Sequence, residues 1–258
     1  MSRFVRVSAI AVNTFREAIR NKLLYTLLGF SLMMIASGLV LATLSYVEVD
    51  EILQDMGMAA IRLFSGGIAI FLGIGLIYNE VERRTIYTIL SKPVSRTEFL
   101  LGKWVGLTTT VWIQLVLMAA AFALVSTFAG APLGLNHGIA IAMVGLELMV
   151  LVAIATLFSA FTTPMLAAFF TTGLWMIGHL SRDLRALGQQ SDLDSVSAMS
   201  SFVFMLVPDF EAFNKTLEAV HGLPIPGSEI VLALIYALGY TVCALLVGSM
   251  IFNRRDLK

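Results

Sequence analysis

Tyr78-Asn-Glu-Val-Glu-Arg-Arg-Thr-Ile-Tyr-Thr-Ile-Leu-Ser-Lys-Pro-Val-Ser-Arg-Thr-Glu-Phe-Leu-Leu-Gly-Lys103 is a charged helix–break–helix island between two long apolar runs, 58–78 and 104–128. Hydrophobic residues make up 58% of the 258-residue chain and charged residues 13%, where a soluble domain carries about a quarter charged. Charges this dense in so apolar a sequence face water. The island therefore separates two membrane crossings, and the chain reads as a polytopic membrane protein.

A helix rises about 1.5 Å per residue and the hydrocarbon core is about 30 Å thick, so about 20 apolar residues make one span. The runs 23–47, 58–78, 104–128 and 229–252 each suffice. The run 138–180 would be roughly 64 Å long as one helix, twice the bilayer. It is expected to break at Thr162-Thr163-Pro164, because proline disfavours helix in the residue before it and has no N–H to give. Spans at 138–161 and 165–180 follow, six in all. The expected fold class is all-α, one transmembrane domain over 1–258.

With both termini cytoplasmic, 13 of the 17 Lys and Arg fall on the inner side, as the positive-inside rule demands. In residues 3–20, Arg3, Arg6, Asn13, Arg16, Glu17 and Arg20 share one helical arc, opposite Phe4, Val7, Ala11, Phe15, Ala18 and Ile19. That pattern predicts an interfacial amphipathic helix with its apolar face in the lipid boundary and Arg6, Arg16 and Arg20 toward headgroups. The segment 181–227 is expected outside, with short helices. Its stretch 202–207 dips toward the leaflet, and one helix from Pro208 carries Phe210, Phe213, Leu217 and Val220 up to Gly222. The N-terminus does not read as a cleavable signal. A single Cys243 leaves no disulfide framework and no thiol metal site.

Within the island, Val81, Thr85, Ile86, Ile89 and Leu90 share one side of a helix, with Glu80, Arg83 and Arg84 on others. Pro93 stops that helix and pushes Lys92 to extended geometry. Ser95-Arg-Thr-Glu98 is a capping box that starts a new helix running into the third span. Gly102 and Gly106 permit close helix contact. Such a segment suits a lever that receives a push from a soluble partner. It equally suits an ordinary cytoplasmic loop held by Glu–Arg pairs, each worth a few tenths of a kcal/mol.

The island resembles the signature of ABC-2-type ABC transporter permeases through Glu80, Glu82, Arg84-Thr85, Ile89-Leu90, Lys92-Pro-Val-Ser-Arg96 and Gly102-Lys103. Further matches are Asn13–Tyr25, Pro208–Asn214 and Phe252–Asp256, so the resemblance covers essentially the whole chain. It is strongest to the subgroup with copper-enzyme-maturation and gliding-motility permeases, and departs from the pattern at Arg84, where a glycine often stands. The resemblance implies that Glu80, Glu82, Arg83, Arg84, Thr85, Ile86, Ile89 and Leu90, in a cytoplasmic segment 79–98, form a coupling helix docked on an ATPase subunit. The loop with Lys92, Pro93 and Arg96 follows, and helix 3–20 braces it. It further implies two ABC ATPase subunits, a second permease copy or a related chain, and a bacterial cytoplasmic (inner) membrane. The chain has no Gly-x-x-x-x-Gly-Lys-Ser/Thr loop, so ATP and Mg are expected on the partner, with no cofactor in this chain. A periplasmic partner is a further expectation; nucleic acid is not.

Two rival functions use other residues. An intramembrane enzyme would draw on Glu147, His179 and Arg62, but no His-Glu-x-x-His or Gly-x-Ser-x-Gly pattern accompanies them. An ion- or proton-coupled carrier would use Glu147, since an intramembrane acid is costly. The plainer expectation is a neutral Glu147 hydrogen-bonded to Gln114 or Thr109. Thr171, Thr172 and His179 give the fifth span one polar side, suited to facing protein. No metal site is expected.

Overall fold

The computed structural model describes residues 3–44, 49–82, 95–190 and 193–254. Among them every element is helical: α1 Arg3–Ile19, α2 Lys22–Leu44, α3 Val49–Glu82, α4 Arg96–Phe128, α5 Leu135–Ser159, α6 Pro164–Gln189, α7 Asp194–Leu206, a 3-10 turn Phe210–Phe213, α8 Thr216–Val220 and α9 Gly227–Arg254. Five helices are long and apolar enough to cross a membrane, or six if the pair 195–205 and 210–220, bent by 55°, is one broken span.

α3 and α5 form the centre of the bundle, with 67% and 72% of their most apolar windows buried, against 22%, 33% and 28% for α2, α4 and α9. Their contact is close because Gly73 has no side chain: a Cβ there would stand 2.7 Å from that of Ala155. Indole N–H groups of Trp104 and Trp112 donate to the carbonyls of Met149 and Gly145, pinning α4 onto α5. The apolar windows on α2, α4 and α9 that remain exposed are what a lipid-facing helix presents.

Several boundaries differ from the sequence expectation, each for a local reason. α3 begins nine residues before the apolar run at 58, with Asp50 and Glu51 in a first turn where acidic groups suit the helix dipole. The break at Pro164 holds: α6 starts there, with proline in its first turn. Beyond residue 180, however, α6 continues to Gln189 through Arg182, Asp183 and Arg185. Charge ends an apolar window without ending the backbone ladder. α6, which carries the expected fifth span, is not among the five apolar helices: its stretch 164–181 is diluted by proline, threonine, glycine and His179.

The single helix expected from Pro208 to Gly222 is two pieces. Asp209 caps the 3-10 turn by accepting from the Ala212 N–H. Asn214 then accepts from the Thr216 N–H and so competes with continued helix. Phe210, Phe213 and Val220 are buried as expected, whereas Leu217 is exposed. Gly222 ends α8 at a positive φ of 64°, open to glycine without strain.

Candidate functional site

Three helices converge where the chain emerges from the charged island, at the end of the bundle where α1 begins and α9 ends. The capping box is present as the sequence predicts. The Glu98 N–H donates to Ser95 Oγ at 3.2 Å, and Ser95 N–H donates back to Glu98 Oε2 at 3.0 Å. The same carboxylate takes two bonds from Arg6, Nε to Oε2 at 3.0 Å and Nη2 to Oε1 at 2.7 Å. Parallel bonds of that kind are short and strong.

Beyond that pair, α1 lies on α4 along a seam of small residues. Ile10 meets Gly102 and Thr14 meets Gly106; a Cβ at Gly106 would stand 2.5 Å from the Ala11 carbonyl. From Arg6–Glu98 to Ile10–Gly102 to Thr14–Gly106 both helices advance by four residues, so they run in the same sense. Ala11, Thr14 and Ala18 are buried in this seam. The apolar face of α1 therefore packs largely on protein rather than facing lipid as expected, leaving Phe4 and Ile19 exposed. Arg6 turns to Glu98; Arg16 and Arg20 are exposed.

Lys103, 1% exposed, reaches Glu17 Oε2 at 3.4 Å and so ties the same two helices further along. Arg96 holds the third helix: its Nη1 donates to the Phe252 carbonyl at 2.7 Å and to that of Asn253 at 3.3 Å. These are among the last carbonyls of α9, which otherwise lack helical partners. The Arg96 guanidinium also lies 5.8 Å from the Phe252 ring centroid. α4 is 33 residues long, about 50 Å, so its first turns stand beyond a bilayer core. There the Arg6 bonds, then the Ser95 N–H, hold the Glu98 carboxyl down at about 2.

Glu80 and Glu82 belong to the last turn of α3, but their side chains, with Arg83, Arg84, Thr85, Ile86, Ile89, Leu90, Lys92 and Pro93, lie outside the described residues.

A second polar cluster lies toward the opposite end. Glu147, 1% exposed, does not pair with Gln114 or Thr109 as expected. It accepts from Trp175 Nε1 at 2.9 Å, faces His179 Nε2 at 3.0 Å and Arg62 Nε at 3.4 Å. Arg62 reaches on to His179 Nδ1 at 3.0 Å and to Glu211 at 3.4 Å.

Arg62, Trp175, His179, Glu211 and Asn214 line an open cavity of about 570 Å³ between α3, α6 and the 3-10 turn, with Glu147 buried behind them. Sequence reading singled out Arg62, Glu147 and His179 without bringing them together, and missed Glu211. Thr109 and Thr171 bond back to carbonyls of their own helices, and Thr172 is half-buried. The amide of Gln114 is buried with no partner among the described residues. No three His, Cys, Asp or Glu among these residues are grouped to hold a metal.

A search of curated proteins returned no match. The family described as "ABC-2 family transporter protein" matches residues 8–257, which takes in the α1–α4 seam from Ile10 onward, the Glu147 cluster and every long helix except the start of α1. With its several apolar helices, the chain belongs to the ABC-2 family of transporter proteins, as a multi-pass membrane permease subunit of an ABC transporter.

Proposed function

We propose that this permease receives ATP-driven motion through the segment 79–98 and delivers it to the bundle through α4. One observation carries the reading: within eight residues of the segment's end, Arg96, Glu98 and Lys103 fasten α4 to both α9 and α1. A push on the segment cannot move α4 alone. An ordinary loop has no need of such bracing, since isolated exposed ion pairs contribute little.

The partners in this reading are two ABC ATPase subunits holding ATP and Mg, and a second permease copy or related chain meeting this one at α2 and α6. The setting is the bacterial inner membrane with both termini cytoplasmic. The resemblance to the copper-enzyme-maturation and gliding-motility subgroup supports export or mechanical work on a periplasmic partner. The test is Glu82→Lys with Arg83→Glu. The ATPase should fail to co-purify, or lose its response to the permease, while the permease stays folded. A normal response overturns the coupling assignment. The alternative, an ion- or proton-coupled carrier using Glu147, would have to work through that residue's contacts with Arg62 and two N–H donors.

A further inference from the structure

At the end of the bundle away from the start of α1 and the end of α9, the hydrogen-bond chemistry of one imidazole admits two exclusive arrangements. Arginine only donates, so with Arg62 Nη2 at 3.0 Å the Nδ1 of His179 accepts, and its proton sits on Nε2, facing Glu147. The ring is then neutral. Glu211 Oε2 stands 3.7 Å from the same Nδ1, outside hydrogen-bond range. Nδ1 cannot accept from Arg62 and donate to Glu211 at once.

The charge count favours a change of arrangement. Two carboxylates, Glu147 and Glu211, face one guanidinium, and a proton on His179 would balance them. The other charged groups nearby do not supply that balance. Asp55 of α3 lines the cavity and adds negative charge. Arg182, one turn beyond His179, is taken by Asp209 at 2.8 Å. The α7 stretch 195–205 has no titratable residue. His179 lines the open cavity, and its side chain is 20% exposed, so a proton can reach it from that face.

We propose that Arg62, Glu147, His179 and Glu211 form a proton-operated closure of this end of the bundle. A proton from the aqueous side binds Nδ1, and the new N–H donates to Glu211 Oε2. Arg62 Nη2 gives up the imidazole and keeps its contact with Glu211, while Nε stays on Glu147. The gain is a hydrogen bond between α6 and the 3-10 turn, which draws 208–214 onto α6. Acid tightens the closure and base loosens it.

Trp175 provides the readout, edge-on to the ring with centroids 5.1 Å apart, where an imidazolium quenches indole emission. The full chain in nanodiscs is titrated from about pH 5 to about pH 8, the range in which histidine changes charge. Hydrogen exchange of 208–214, corrected for intrinsic rates, is followed in parallel. The expected result is a one-proton quench that vanishes in Trp175→Phe and His179→Gln. Protection of 208–214 should rise several-fold on the acid side, stay flat in His179→Gln, and rise less in Glu211→Gln, whose amide oxygen accepts but carries no charge. Glutamine accepts and donates like the neutral ring, so the His179 variant keeps the unprotonated arrangement. An unchanged quench in His179→Gln, or a quench without a change in protection, overturns the proposal.

Discussion

Arg6 and Glu98, 92 residues apart in sequence, are joined by two parallel hydrogen bonds that fix the first helix on the start of the fourth. Glu98 does two tasks, since it also closes the capping box at Ser95. The tasks separate chemically: glutamine can serve in a capping box but carries no charge.

Glu98→Gln should therefore leave α4 intact and release α1. In the assembled complex, permease-stimulated ATPase activity should drop by roughly three- to tenfold, the scale of a lost charge-assisted bond. Arg6→Gln should do the same, and the double variant should cost no more than either single one. Additive losses would mean that the two residues act separately. Because the folded carboxyl sits at about 2, the pair's contribution is complete above the ordinary carboxylate range and is lost only as pH falls toward 2. Docking of α1 on α4 should thus be flat down to about pH 6 and weaken progressively below the ordinary carboxylate range.

Gly106→Ala places a methyl group 2.5 Å from the Ala11 carbonyl, a backbone atom that cannot swing aside. Overpacking of this kind costs about 1–3 kcal/mol. Gly75→Ala meets nothing within 4 Å and is the control; helix propensity alone should make it neutral or stabilising. Thermal unfolding in one detergent separates the two, and equal melting temperatures would refute the seam.

Removing one member of a buried ion pair strands the other, at about 3–5 kcal/mol, whereas replacing both with apolar residues is close to neutral. Glu147→Leu and Arg62→Leu should each lower the melting temperature strongly. Together they should recover much of the loss. Transport by the double variant decides between functions, since a carrier that works through Glu147 would be silent even when folded.

Topology is checked with single cysteines in a Cys243→Ser background. Cysteine at Ser195, on α7, should react with an impermeant reagent added to intact cells, and cysteine at Ser95 should react only after permeabilisation. Equal labelling from outside would sink the proposed orientation, which rests on the distribution of 13 basic residues.

What the sequence made legible was local chemistry. Ser95 and Glu98 lie three residues apart, Thr163 and Pro164 are adjacent, and Gly102 and Gly106 share a helix face; the structure uses all of them. The Arg62–Glu147–His179–Glu211 cluster joins residues 85, 32 and 149 positions apart, and no periodicity on one helix points to a partner on another. For the same reason the apolar stripe of α1 could be read as a face without revealing that α4 covers it. The end of α6 was hidden differently: hydropathy reports solvent preference, and the backbone ladder through Arg182 and Arg185 does not depend on it.

The seam between the first and fourth helices also sets an order of assembly. At translation rates of about 5–20 residues per second, Glu98 is made roughly 5–20 seconds after Arg6. Throughout that interval the newborn first helix has its small-residue stripe and its arginine without a destination. The membrane surface suits a basic amphipathic helix, so the first helix would wait there and be recruited later. Slowing synthesis between the first and fourth helices would lengthen the wait without changing the finished protein.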